Sequence, residues 1–224
     1  MTSERNTKGS RRQTVKDTMQ YLLATVAAQI IGLVRSVFMP ILLGPAQLGI
    51  WNLMNVVVGY GANAHLGILH GMNKLIPLLR GEQKLQEIEI LKNSIFWLNL
   101  SLGALSAALF FIGSFFAPAR YFSYLCIISF IVFLQLIFFY QYSLLRANSL
   151  FGLVSRGVVI FSFGSTVFVL TLAFLFQDRV LGALIGLALA YLLVVSYWFL
   201  KPHYKFPLQI NFSSVRDSFV IGCA

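Results

Sequence analysis

Apolar side chains run along this chain in unbroken stretches of helical length, without the alternation of faces that marks a strand or a surface helix. A hydrocarbon layer about 30 Å thick is crossed by roughly 20 residues of α-helix. Six stretches reach that length: residues 19–43, 50–69, 95–117, 121–145, 157–176 and 180–200. A membrane barrel would instead show segments of about ten residues with alternating polarity. The pattern therefore predicts an all-α fold, a polytopic transmembrane helical bundle with six complete spans. A polar, basic tail, residues 1–18, precedes the first span. Between the second and third, Leu85, Ile88, Leu91 and Ile95 share a helical face while Glu82, Lys84, Glu87 and Lys92 fall mostly elsewhere, which predicts an amphipathic helix on the inner leaflet. Residues 201–218 form a polar linker through Pro202, Pro207 and Asn211. Ser213 or Ser214 is placed to cap a new helix whose apolar start, residues 219–224, reads as the beginning of a seventh span in a longer chain.

Composition agrees with lipid as the main solvent. Of the 224 residues 58% are hydrophobic and 11% charged, against about 25% charged in soluble domains. A net charge of +10 in a soluble protein would suggest nucleic acid, but the positions of the charges argue otherwise. Arg5, Lys8, Arg11, Arg12, Lys16, Lys74, Arg80, Lys84, Lys92, Arg146, Arg156, Lys201, Lys205 and Arg216 all fall on one side of the six spans, and Arg120 and Arg179 on the other. The positive-inside rule then places the N-terminus in the cytoplasm and removes nucleic acid as a partner. The first apolar run is too long for a signal-peptide core and carries no small-residue cleavage pattern, so it stays as a span. Cys126 and Cys223 lie far apart inside apolar runs, which suits neither a disulfide framework nor a metal site, and neither metal nor cofactor is expected.

Polarity inside the spans is sparse and patterned. Arg35 is the charge that cannot be placed outside them, and an arginine at that depth costs a few kcal/mol unless it meets protein, water or a partner. Thr25, Gln29, Gly32 and Ser36 form a stripe beside it. Pro40 should bend the same helix. In the second span Asn52, Asn55, Gly59, Asn63 and His70 share a face, with His65 pointing away, so two facing stripes would make a polar cleft. Gln135, Tyr142 and Arg146 add a face from the fourth span. Ser155, Ser162 and Thr166 in the fifth read as hydroxyls bonded back to their own helix. Gly182, Gly186 and Ala190, and Gly103 and Ala107, form ridges that let helices approach closely. The spans contain no Asp or Glu, and the chain has no paired carboxylates and no phosphate loop, so an enzyme is not expected.

The stretch Leu42-Leu43-Gly44-Pro45-Ala46-Gln47-Leu48-Gly49-Ile50-Trp51, followed by His65-Leu66-Gly67-Ile68-Leu69-His70-Gly71-Met72-Asn73-Lys74 and the Gly81-Glu82 loop, resembles polysaccharide (O-antigen type) flippases of the multidrug/oligosaccharidyl-lipid/polysaccharide exporter superfamily. The resemblance implies that the chain is one six-helix lobe of a two-lobe transporter in the bacterial inner membrane, with a second lobe as its partner. It further implies transport of a polyprenyl-diphosphate-linked oligosaccharide for surface polysaccharide synthesis. On that reading Arg35 meets the diphosphate, and Gln29, Asn52, Asn55, Asn63, His70 and Gln135 line the substrate path. The acidic residue typical of the drug-exporting branch is absent from the first span. The peptidoglycan-precursor branch, a membrane-embedded polysaccharide polymerase or glycosyltransferase, and a purely structural subunit remain as alternatives.

Overall fold

The computed structural model describes residues 2–200, with side chains from residue 18 onward. The expected linker 201–218 and the segment 219–224 lie outside the described residues, as do the side chains of the basic tail. Within them the chain is all-helical: α1 Thr2–Ala62, a short 3-10 turn Asn63–His65, α2 Ile68–Gly81, α3 Leu85–Phe116, α4 Ala119–Ala147, α5 Phe151–Leu175 and α6 Arg179–Phe199. Five helical stretches are long and apolar enough to cross a membrane, which fits a membrane-embedded protein. The first of them, Thr18–His65, has 48 residues, about 72 Å of helix and more than twice the thickness of a hydrocarbon core.

That length is divided at Gly44, whose φ of 68° and ψ of 172° are not helical. Glycine lacks the Cβ that would make a positive φ costly. Pro45 follows as the first residue of the next segment, where its missing N–H removes no helical bond. The chain reverses here. Arg179 Nη1 donates to the Leu42 carbonyl, and Tyr124 Oη donates to Asp178 Oδ2 over 2.7 Å, so the end of the first segment, the start of α4 and the start of α6 share one end of the molecule. Gly61, however, lies against Val132 and Phe110, and Val132 is eight residues, about 12 Å, further down α4 than Tyr124. His65 then faces Phe139 at 6.2 Å between centroids. Arg80 Nη2 finally reaches Asn148 Oδ1 at 2.7 Å, past the end of α4. Residues 45–81 thus descend alongside α4.

Two expectations need correction. The second span is not one helix from residue 50 to 69. It breaks at the 3-10 turn and at Leu66 and Gly67, whose φ values are 48° and 79°, and resumes as α2. The amphipathic connector is also not a separate element, because residues 85–95 are the first turns of α3. Ile88, Leu91 and Ile95 pack with Ile68, Met72 and Ile76 of α2 and with Tyr140 and Leu144 of α4. Their polar neighbours stay outside: Lys84 Nζ stands 3.0 Å from Glu82 and 3.8 Å from Glu87. The hydrogen bond to Glu82 and the two negative charges hold the Lys84 ammonium above its ordinary pKa.

Small residues set the closest packing. A Cβ on Gly186 would stand 2.6 Å from the carbonyl carbon and oxygen of Phe168, so α6 rests directly on the backbone of α5 there. Gly182 meets the Leu172 carbonyl in the same way. Asp178 caps α6, its Oδ1 accepting from the N–H groups of Val180 and Leu181 at 3.1 Å each. At the opposite end Trp198 Nε1 donates to the Leu153 carbonyl over 3.2 Å, and the hydroxyls of Tyr21 and Tyr142 lie 2.6 Å apart. Overpacking a seam of this kind costs about 1–3 kcal/mol. Gly186→Leu is expected to lower the thermal unfolding midpoint in detergent, read by tryptophan fluorescence. Gly113→Leu should leave it in place, since nothing lies within 4 Å of a Cβ at that position.

Candidate functional site

Arg35 lies eight residues before Leu43, about 12 Å from the reversal at Gly44. It is half-buried. One turn earlier the Ile31 carbonyl accepts a hydrogen bond from Thr166 Oγ1 of α5 at 3.3 Å, fixing the first segment of α1 against α5. Thr166 therefore bonds across helices rather than to its own, whereas Ser155 Oγ donates to the Phe151 carbonyl at 2.8 Å as expected. Gln135 of α4 stands one turn from Phe138, whose ring meets Tyr191 of α6 at 5.5 Å between centroids. An amide and a phenol thus lie near one another at the middle of α4, and Arg35 stands one turn along α1 from its contact with α5.

The cluster is enclosed by rings. Tyr191 and Gln135 are each 7% exposed. Tyr191 stands 4.7 Å from Phe161 and 5.5 Å from Phe138 between centroids, and Phe138 in turn stacks on Trp198 at 5.2 Å. Polar capacity is nevertheless left over: Gln135 Oε1 has no hydrogen-bond partner. Six residues along α4, Gln141 is fully buried with both amide atoms unpartnered. Buried polar atoms are nearly always paired, with protein or with water. Arg35 itself takes part in none of the ion pairs among the described residues. Unpartnered amide oxygens among apolar side chains are chemically suited to water or to a hydrogen-bond donor, and the Gln141 Nε2 donor is likewise open to an acceptor.

Of the residues singled out from sequence, Arg35 is half-buried on the first segment of α1 and Gln135 is buried on α4. Gln29 and Asn52 are exposed on the two segments of α1. Asn55 is half-buried and donates to the Trp51 carbonyl at 2.8 Å, and Asn63 donates to the Gly59 carbonyl at 3.1 Å, so each spends a donor on its own helix. Among the described residues no hydrogen bond joins the two stripes. His70 is exposed and meets His65 edge-on at 5.9 Å. That pairing follows from the helix break, since a stripe drawn from Asn52 to His70 assumes an unbroken helix and the turn at Leu66 and Gly67 rotates everything beyond it. Tyr191 was missed because a tyrosine within an apolar run carries no periodic signal. Asn99, whose Nδ2 donates to the Leu136 carbonyl at 2.9 Å between α3 and α4, could have been noticed as an amide deep in the third run.

No protein-family model, no curated protein and no solved structure matches the chain.

Hydration of the cluster can be measured. In the chain with Cys126 and Cys223 replaced by serine, Gln135→Cys is expected to react with a small polar thiol reagent in the membrane. Ile128→Cys, fully buried on the same helix, should stay unmodified. Equal protection of both positions would show a dry cluster.

Proposed function

We propose that this chain is a transporter lobe of six membrane crossings whose Arg35 receives the diphosphate of a polyprenyl-linked oligosaccharide during its passage between leaflets of a bacterial inner membrane. The observation that carries the reading is Arg35, a half-buried cation within the first apolar run that takes part in none of the ion pairs among the described residues. Desolvating a lone cation costs several kcal/mol, and a passing diphosphate would supply the missing charge while the lipid tail stays in the bilayer. Guanidinium donors form a rigid fork that suits phosphate oxygens. The reversal at Gly44 supports six crossings, because residues 18–43 and 45–62 are each long enough to traverse the hydrocarbon. A second lobe would provide the facing wall, as in transporters built from repeats. The broken second span adds support of the same kind, since interrupted helices in transporters mark sites where backbone lines a cavity.

Orientation is testable by single-cysteine labelling in intact cells. Lys8→Cys and Lys84→Cys are expected to be protected from an impermeant reagent, and Arg120→Cys and Arg179→Cys to be labelled. Labelling of the first pair would invert the topology.

Function is tested by export of surface polysaccharide, normalised to membrane-inserted protein, in cells producing the full transporter. Arg35→Ala should abolish export and Arg35→Lys should retain part of it. Asn63→Ala should lose less. Near-normal export by a well-inserted Arg35→Ala protein would sink the anion-cleft mechanism and leave the fold untouched.

A further inference from the structure

A second cationic site lies at the other level of the membrane. Between the first segment of α1, the start of α5 and the end of α6 is a cavity of about 440 Å³, open to the outside and lined by Gln20, Ala24, Ser155, Arg156, Ile160 and Tyr197 among others. That volume falls within the range of about 300–1,000 Å³ typical of small-molecule sites. Its depth is set by its residues: Gln20 stands at the beginning of the first apolar run, Arg156 in the second turn of α5, and Tyr197 two residues before the end of α6. The Tyr21–Tyr142 hydroxyl pair lies at the same end.

Among the described side chains, no carboxylate pairs with Arg156. The glutamates at the α2–α3 corner pair with their own lysines, Glu82 and Glu87 with Lys84 and Glu89 with Lys92. Asp178 lies at the far end of α5, occupied by the cap of α6 and by Tyr124. Arg156 is exposed and belongs to none of the ion pairs among the described residues. The Ser155 hydroxyl donates to its own helix, which leaves the Arg156 fork and the Gln20 amide to donate into the cavity. Deeper along α5, on the face that carries Arg156 and Val159, Phe163 is an exposed apolar side chain, a surface for an acyl chain below a bound headgroup.

We propose that this cavity binds the phosphate group of an anionic membrane lipid, with Arg156 as the bidentate donor and Gln20 as a second. The site requires only that the chain sits in a bilayer; it does not depend on transport, so its failure and the failure of the flippase reading are separable. The full chain would be purified in phosphatidylcholine nanodiscs containing a minor share of phosphatidylglycerol, and retained lipid counted by native mass spectrometry. Arg156→Gln is expected to lower retained phosphatidylglycerol about tenfold, in line with the loss of a charge-assisted hydrogen bond. Arg156→Lys should keep part of it. Ala24→Phe, which fills the cavity and leaves every charge in place, should lower it as well. Arg146→Gln, at the same end but resting on the Tyr142 ring at 5.4 Å, should change nothing. Undiminished retention by Arg156→Gln or by Ala24→Phe overturns the site, and an equal loss in Arg146→Gln reduces it to general attraction at the interface. Displacement of the lipid by excess inorganic phosphate would assign the cavity to a free anion and overturn the lipid reading.

Discussion

A backbone amide in hydrocarbon has no water to turn to, and the structure follows from that constraint. Each stretch that enters an apolar layer must close its own hydrogen bonds, so the described residues are helices joined by short connections. The constraint bears hardest where a helix stops. At Gly44 the interruption lies at one end of the molecule, where Arg179 donates to the Leu42 carbonyl left by the turn. At Leu66 and Gly67 it lies much deeper, level with Phe139 of α4. There the freed donors are met locally: the Leu66 N–H reaches the Asn63 carbonyl at 3.1 Å, and the Gly67 N–H reaches His65 Nδ1 at 3.1 Å. Histidine at position 65 is thus part of the backbone repair of the break.

Packing between helices works under a related limit. Lipid tails are as apolar as leucine, so close approach and hydrogen bonds between helices must hold them together. The close approach is supplied by Gly182 and Gly186 of α6, which bring side-chain-free backbone against Phe168 and Leu172 of α5. The hydrogen bonds come from Asn99 to Leu136 between α3 and α4, Thr166 to Ile31 between α5 and α1, and Tyr140 to the Lys92 carbonyl at 3.0 Å. These contacts tie the two cores, one around α4, α5 and α6 and the other around α2 and the start of α3, through the shared face of α4.

Helix class and the ridges of α6 were legible in the sequence because both depend on composition over a long window, which a single residue cannot change. The break in the second span was not. A left-handed Leu66 is invisible to hydropathy, and the Leu66-Gly67 pair sits inside a run that is apolar on both sides. The same local event explains the uneven reading of the site. Arg35 and Gln135 stand on stretches of continuous helix, where spacing gives the face a residue occupies. His70 stands beyond the break, where spacing no longer carries information about orientation. Asn55 and Asn63 fail for another reason: an asparagine amide can bond the carbonyl four residues back, and helical spacing alone does not distinguish that from facing a cleft.

The arrangement of charge gives the transport proposal its physical form. Every carboxylate with a described side chain lies at an end of the molecule and is engaged there, Glu82, Glu87 and Glu89 with lysines and Asp178 with the α6 cap and Tyr124. None can reach Arg35 without unwinding a helix. The Arg35 charge therefore has no partner carboxylate among the described side chains. On the transport proposal an incoming anion would meet a cation that no described carboxylate compensates.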